Sequence, residues 1–363
     1  MNRTALYEVH KKLGARMIEF AGWEMPLQYR GIREEHLAVR SSVGAFDISH
    51  MGEIEVEGKD ALSLCQWVTT NDVSRLGDFQ AQYTLMCNPN GGVIDDVIIY
   101  RISETRFFIC VNAINTAKDF EWIKQNAAGK FRAEVKNRSL EFSQLAIQGP
   151  NAEEVLIRVL NRDLSFLKRF SFALVSWKGF ELMVARTGYT GEDGFEVFLP
   201  WERALELWDA VFEEGRPYQI QPCGLGSRDT LRLEMGYPLY GHELDEETNP
   251  VEAGLLRFVK LEKGDFVGRT ALMDVVSAGP GKKLMGFEMV ERGIPRQGYG
   301  ILKDGDVVGV VTSGTFSPSL QKPIGLGYLR SNNYSENEEI YIDIRGTLRR
   351  AKIVSVPFYR KKA

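Results

Sequence analysis

Apolar and polar positions alternate with a period of two along much of this chain, most clearly over residues 81–112, AQYTLMCNPNGGVIDDVIIYRISETRFFICVN. The pattern predicts three strands joined by two turns. Asn88-Pro89-Asn90-Gly91-Gly92 marks the first turn, because Pro presets φ while Asn and Gly tolerate positive φ. β-Branched and aromatic residues fill the runs on each side. Helical spacing appears at 32–42, with Gly44 just past its end, and at 60–68, where Asp60 is a candidate cap. It recurs at 114–127, with Phe120 and Ile123 on the apolar face, and at 152–160, opened by Gly149-Pro150-Asn151. A further helix ends over 271–277. Residues 46–52 predict a strand leading into a buried turn, and strands are expected at 53–57, at 142–148 and on both sides of a loop within 184–199. Beyond Ala278-Gly279-Pro280-Gly281, which reads as a linker, short strands follow at 283–291, 299–302, 307–312, 324–329, 340–344 and 351–356. Lys303-Asp304-Gly305-Asp306 is a hairpin turn. This regular succession predicts a small all-β barrel or sandwich of about 80 residues.

Composition narrows the function classes. A chain of 363 residues is too long for one ordinary core and predicts two or three domains. Its net charge of −4 and pI of about 5.8 argue against nucleic acid as the main partner. No apolar run approaches the ~20 residues of a membrane span. The opening MNRTALYEVHKKLGARM lacks the apolar core of a secretory signal, so a cytoplasmic location is expected. Cys65, Cys87, Cys110 and Cys223 are widely spaced, which fits reduced, packed thiols. His10, His36, His50 and His242 show no metal-ligand spacing, and no metal is expected.

Four places carry candidate chemistry. Asp95 and Asp96 interrupt an apolar strand, and alternation sends them to opposite faces. An inward carboxylate needs hydrogen bonds, a raised pKa or a polar ligand. If the register joins the right faces, Asp96, Tyr100, Tyr83 and Asn112 line one pocket. The alternative is the solvated start of an exposed edge strand. His50, near Ser49 and Asp47, reads as structural, since triad members meet in space and not in sequence. In VARTGYTGEDGFEVFL (184–199), Gly188, Gly191 and Gly194 do not match the dinucleotide fingerprint, but they permit close approach to a ligand. Glu196 follows; on pattern alone it is a strand-face acid exposed to water, whereas turned inward it would accept two N–H donors from a planar heterocycle. Arg228 falls in the first turn of a helix within 224–239, where the dipole disfavours a cation. A specific anionic partner and a plain intrachain ion pair both fit. The chain ends on a basic aromatic tail, Phe358-Tyr359-Arg360-Lys361-Lys362.

In order along the chain, Phe46-Asp47-Ser49-His50-Met51-Gly52, Gly91-Gly92-Val93-Ile94-Asp95-Asp96, Gln148-Gly149-Pro150, Arg186 to Gly194, Gly226-Ser227-Arg228-Asp229-Leu231-Arg232-Leu233-Glu234 and Pro357-Phe358-Tyr359 resemble the glycine cleavage system T protein family, the aminomethyltransferases. The resemblance runs from about Thr4 to Tyr359. It implies an α+β fold, with three domains in a clover-leaf around a central folate cavity and a C-terminal all-β barrel. Residues 1–277 would form the folate-binding region as two interleaved α+β domains, the second roughly 53–136, and residues 282–363 the barrel. The implied reaction moves the methylene of an aminomethyl group on lipoylated H protein to tetrahydrofolate, releasing ammonia. By motif position, Asp96 matches the family's catalytic aspartate. Tyr83, Tyr100, Asn112, Tyr189, Glu196, Arg228, Tyr237 and Tyr359 match folate-contacting positions. Two other readings come with the resemblance: a folate-dependent demethylase of a small methylated compound, and a non-catalytic folate-binding regulator.

Overall fold

The computed structural model describes residues 1–331 and 334–361; Lys362 of the basic tail lies outside the described residues. The fold is α+β, and the chain divides into two compact units. One comprises Met1–Val68, Asp72–Thr84 and Val97–Asp229; the other comprises Thr69–Asn71, Leu85–Asp96 and the chain from Thr230 onward.

Two sheets form the body of the first unit. One runs in the order Phe172–Trp177, Phe180–Ala185, Gly194–Pro200, Phe142–Gln148, Gly44–Asp47, Gln221–Pro222, antiparallel except for the last pair. The other runs Gln80–Cys87, Val93–Ser103, Arg106–Val111, Gly52–Glu57, Glu134–Asn137. Strand alternation explains how they pack. Phe195, Val197 and Leu199 join Leu145, Leu156, Leu207 and Trp208 beneath helices Ala152–Leu160 and Ala204–Glu214. Phe198, one step out of phase, turns the other way and meets Tyr100, Phe108 and Phe172 from across the layer. These rings meet edge to face, with centroids 5.3 Å apart for Phe108 and Phe198 and 5.5 Å for Tyr100 and Phe198. Each such pair contributes about 0.5–1.5 kcal/mol beyond burial. Helices Ala61–Val68 and Thr116–Ala127 pack on the second sheet. Asp60, the expected cap, instead accepts from the backbone and guanidinium of Arg132. A three-stranded sheet of Asn2–Arg3, Trp23–Gln28 and Arg16–Phe20 adds elements that the sequence pattern did not reveal.

The second unit holds a closed barrel in the order Lys282–Met289, Lys322–Arg330, Asp306–Ser317, Gly300–Lys303, Glu339–Ile344, Thr347–Val354, with the last strand pairing back to the first. Phe287, Ile301, Val311, Leu329, Ile340, Ile342 and Ile353 form its core. Asp304 and Gly305 both take positive φ, 52° and 90°, as a two-residue hairpin requires. Gly325 has no side chain because the Phe287 ring needs the space: a Cβ there would fall 2.4 Å from Cζ. Leu233, from helix Leu225–Glu234, packs with Ile324 and Leu326.

Candidate functional site

Glu196 stands on strand Gly194–Pro200 with Ala146 as its cross-strand neighbour on one side and Ala185 on the other. Two small neighbours leave room for a carboxylate between the sheets. The residue is only 7% exposed, so the reading of a water-facing acid is overturned. Alternation had set its face correctly, but the sheet covering that face is formed by residues far away in sequence. Thr187 Oγ1 donates to Glu196 Oε2 at 2.6 Å, and the Tyr100 hydroxyl lies 3.5 Å from the same Thr187 oxygen. The Glu196 pKa is raised by burial, and the Thr187 hydrogen bond and the Arg228 charge offset only part of that rise. The Arg228 guanidinium sits 4.8 Å from the centre of the Tyr189 ring. Glu196, Thr187, Tyr100, Arg228 and Tyr189 therefore form one polar cluster in the first unit.

The glycine-rich loop is built differently from the sequence expectation. A Cβ on Gly188 would fall 2.0 Å from Gln148 Oε1, and one on Gly194 would fall 2.5 Å from the Ile147 carbonyl. Two of the three glycines thus make room for the chain itself rather than for a ligand. Gln148 donates to the carbonyls of Thr187 and Phe195 and accepts from Thr190 Oγ1. Arg186 bridges Asp193 and Glu153, and Arg40 reaches the Thr190 carbonyl at 2.6 Å. The loop is fixed, and with it Thr187.

His50 is buried and lies edge-on to Phe20. Its Nδ1 has no hydrogen-bond partner among the described residues. Burial and the Arg228 charge lower its pKa to about 3, so it is neutral at pH 7. Asp47 does not pair with it. The Asp47 carboxylate instead meets His10 Nε2 at 2.8 Å, and His10 Nδ1 meets the Tyr29 hydroxyl at 2.9 Å. No sequence proximity announces this buried chain of three.

Strand Val93–Ser103 runs between Gln80–Cys87 and Arg106–Val111, so the edge-strand reading of the two aspartates fails. Asp95 is fully buried and Asp96 half-buried. The turn before them is clamped within the second unit: Val93 N donates to the carbonyls of Asp245 and Thr248, and Asn88 Nδ2 donates to that of Glu246. Tyr83 and Asn112 are half-buried in the first unit, Asn112 opening the short turn Ala113–Asn115. The Tyr100 ring lies inside the aromatic core, leaving its hydroxyl end to the polar cluster. In the second unit, Tyr237 N donates to the Arg232 carbonyl and Tyr359 N to that of Glu234, so both tyrosines are tied to the end of one helix. All four cysteines are buried. Among the described residues no group of three or more His, Cys, Asp and Glu side chains is placed to hold a metal ion, and no helix is long and apolar enough to cross a membrane.

Comparison with known proteins adds a consistent set of likenesses. Residues 6–263 match the GCVT N-terminal domain family, and residues 282–360 match the glycine cleavage T-protein C-terminal barrel domain. The chain is 50% identical to an aminomethyltransferase of Symbiobacterium thermophilum, covering 99% of this chain and 98% of that one. It is 49% identical to an aminomethyltransferase of Caldanaerobacter subterraneus subsp. tengcongensis, covering 99% and 96%. The crystal structure of glycine cleavage system aminomethyltransferase T from Bartonella henselae superposes with a TM-score of 0.93 at 34% identity, covering 99% of this chain and 98% of that one.

Proposed function

The chain belongs to the glycine cleavage T-protein family of aminomethyltransferases, and from that premise we propose its reaction: an aminomethyl group held as a thioether on the lipoyl arm of H protein is the donor, and tetrahydrofolate is the acceptor. The carbon's bonds to sulfur and to the amine break, and new bonds form to N5 and N10 of the folate. The two folate N–H protons end on the departing thiol and on ammonia. Asp96 is the catalytic side chain. Glu196 grips the amino edge of the pterin, and Tyr83, Tyr100, Asn112, Tyr189, Arg228, Tyr237 and Tyr359 contact the folate. Residues 1–277 form the folate-binding region, its second domain roughly 53–136, and residues 282–363 the barrel domain. The enzyme works in the cytoplasm, without nucleic acid or membrane.

The observation that best supports this reading is the setting of Glu196. An acid enclosed between two alanines, with Thr187 and Arg228 favouring its charge, suits a flat ring with paired N–H donors. The nucleophile is the folate's own N5, so the protein's task is to position the carbon. It must also offset the positive charge that develops as ammonia leaves. An ionised Asp96 does this electrostatically and relays a proton.

Ammonia release from aminomethylated H protein, assayed with and without tetrahydrofolate, tests the reaction. Full turnover is expected only with both. Turnover of a small methylated amine without H protein would replace this reading with a demethylase, and folate binding without any turnover would replace it with a regulator. Asp96→Asn should bind tetrahydrofolate within about threefold of the parent while kcat falls about 100-fold or more. Near-normal turnover would remove Asp96 from the chemistry.

A further inference from the structure

A second acid shares the layer that contains Glu196. Glu53, on strand Gly52–Glu57, lies directly opposite Cys110, and Cys110 lies directly opposite Ile98 on the next strand. Directly opposed residues share a face. Glu53 therefore points the same way as Cys110, Ile98 and Tyr100, into the layer that also holds Ala185 and Phe198. The thiol of Cys110 and the hydroxyl of Tyr100 each feel the charges of both Glu53 and Glu196. The two acids thus border one place.

Their surroundings differ sharply. Glu53 is 1% exposed, and neither carboxyl oxygen has a hydrogen-bond partner among the described residues. Glu55, two residues on, receives both Arg106 and Arg138. Glu196 has Thr187 and the Arg228 charge. Among the described residues no hydrogen bond offsets burial at Glu53, and burial pushes its carboxyl well above the usual carboxylate range, which favours the protonated form. A neutral carboxyl is a donor, whereas a carboxylate only accepts. Paired acids in environments that separate their protonation states take opposite roles. His50 Nδ1, also buried and without a hydrogen-bond partner among the described residues, belongs to a ring that feels the same Arg228 charge. An apolar side chain would fill the Glu53 position without leaving polar atoms unsatisfied.

We propose that Glu53 is a further folate-binding residue, donating its carboxyl hydrogen to the 4-carbonyl of the pterin while Glu196 accepts from the adjacent ring N–H and 2-amino group. The inference rests on the folate reading above and adds to it a donor that fixes which heterocycle is accepted. A ring with the donor, donor, acceptor edge of a 2-amino-4-oxopyrimidine satisfies both acids. A 4-amino ring has a bare N3 and a donor at position 4, so it gives Glu196 only its 2-amino group and presents a donor where Glu53 offers its own.

The test measures dissociation constants of the full chain for tetrahydrofolate and for its 4-amino analogue, in the parent, Glu53→Leu and Glu53→Gln. Glu53→Leu should bind tetrahydrofolate about tenfold more weakly, bind the 4-amino analogue nearly unchanged, and melt no lower than the parent without ligand. Glu53→Gln keeps a donor and should stay within about threefold for tetrahydrofolate with its preference for the 4-oxo ring intact. This variant decides the matter if Glu53→Leu does not fold. Equal weakening toward both ligands would mean a packing defect and would overturn the proposal, as would tetrahydrofolate affinity unchanged in Glu53→Leu or a lost ring preference in Glu53→Gln. A parent that binds no tetrahydrofolate would overturn the folate reading as well. A parent that binds it, with variants that behave alike toward both rings, would overturn the role of Glu53 alone.

Discussion

Arg228 acts on two buried neighbours at once, favouring the ionised form of Glu196 and the neutral form of His50. The His50 pKa of about 3 in the folded chain stands against an ordinary value of about 6.5. Below about pH 6.5 the unfolded chain therefore takes up a proton that the folded chain refuses. Stability falls as pH drops through that window, by up to about 1.4 kcal/mol per unit. His50→Gln has no such proton to take up and should flatten the loss between about pH 6.5 and 5, above the ordinary carboxylate range. Urea midpoints of the two proteins over that span should converge as pH falls; parallel lines would count against it. What the sequence showed at this scale was the face of each residue, not what covers it. Glu196 and Asp95 were correctly noticed as acids in apolar strands. Their burial depends on sheets contributed from elsewhere in the chain. His50 was read as structural despite Asp47 nearby in sequence, and Asp47 indeed bonds His10, 37 residues away.

At the scale of elements, turn chemistry was the most readable signal. Asn88 to Gly92 forms the expected turn, with Gly91 at φ 88°, and the second glycine has a separate cause. A Cβ on Gly92 would fall 1.8 Å from the Glu246 carbonyl oxygen. Gly92→Ala must push the turn off the segment whose carbonyls receive Val93 N. A loss of about 1–3 kcal/mol is expected, together with a lower kcat, because the displaced strand carries Asp96. Denaturant unfolding and steady-state rates would show both; a fully active, fully stable variant would mean that the segment yields freely. The glycines of the 184–199 loop were visible, but their reason was not, since Gln148 is remote in sequence. In the N-terminal sheet, which the sequence reading missed, Asn2–Arg3 is too short for periodicity to register.

For the molecule as a whole, the barrel was foreseeable because its strands are regular and a Gly-Pro-Gly linker precedes them. The division into units was not, since Leu85–Asp96 belongs with residues beyond Thr230. Within that second unit Arg232 is 1% exposed and bonds Glu243 at 2.8 Å and Ser313 Oγ at 2.8 Å, tying the helix to a barrel strand. Arg232→Met would strand the buried Glu243 charge and should cost about 3–5 kcal/mol. Adding Glu243→Gln should recover much of it; urea unfolding of the single and double variants would settle whether the pair is coupled.

The order in which the ribosome makes these pieces follows from the same division. Val93 emerges well before Asp245 and Thr248, whose carbonyls receive its N–H. At ordinary elongation speed the gap lasts on the order of ten seconds. During that interval the Asp95-Asp96 hairpin is tethered but unfinished, so the nascent chain cannot complete its halves one after the other.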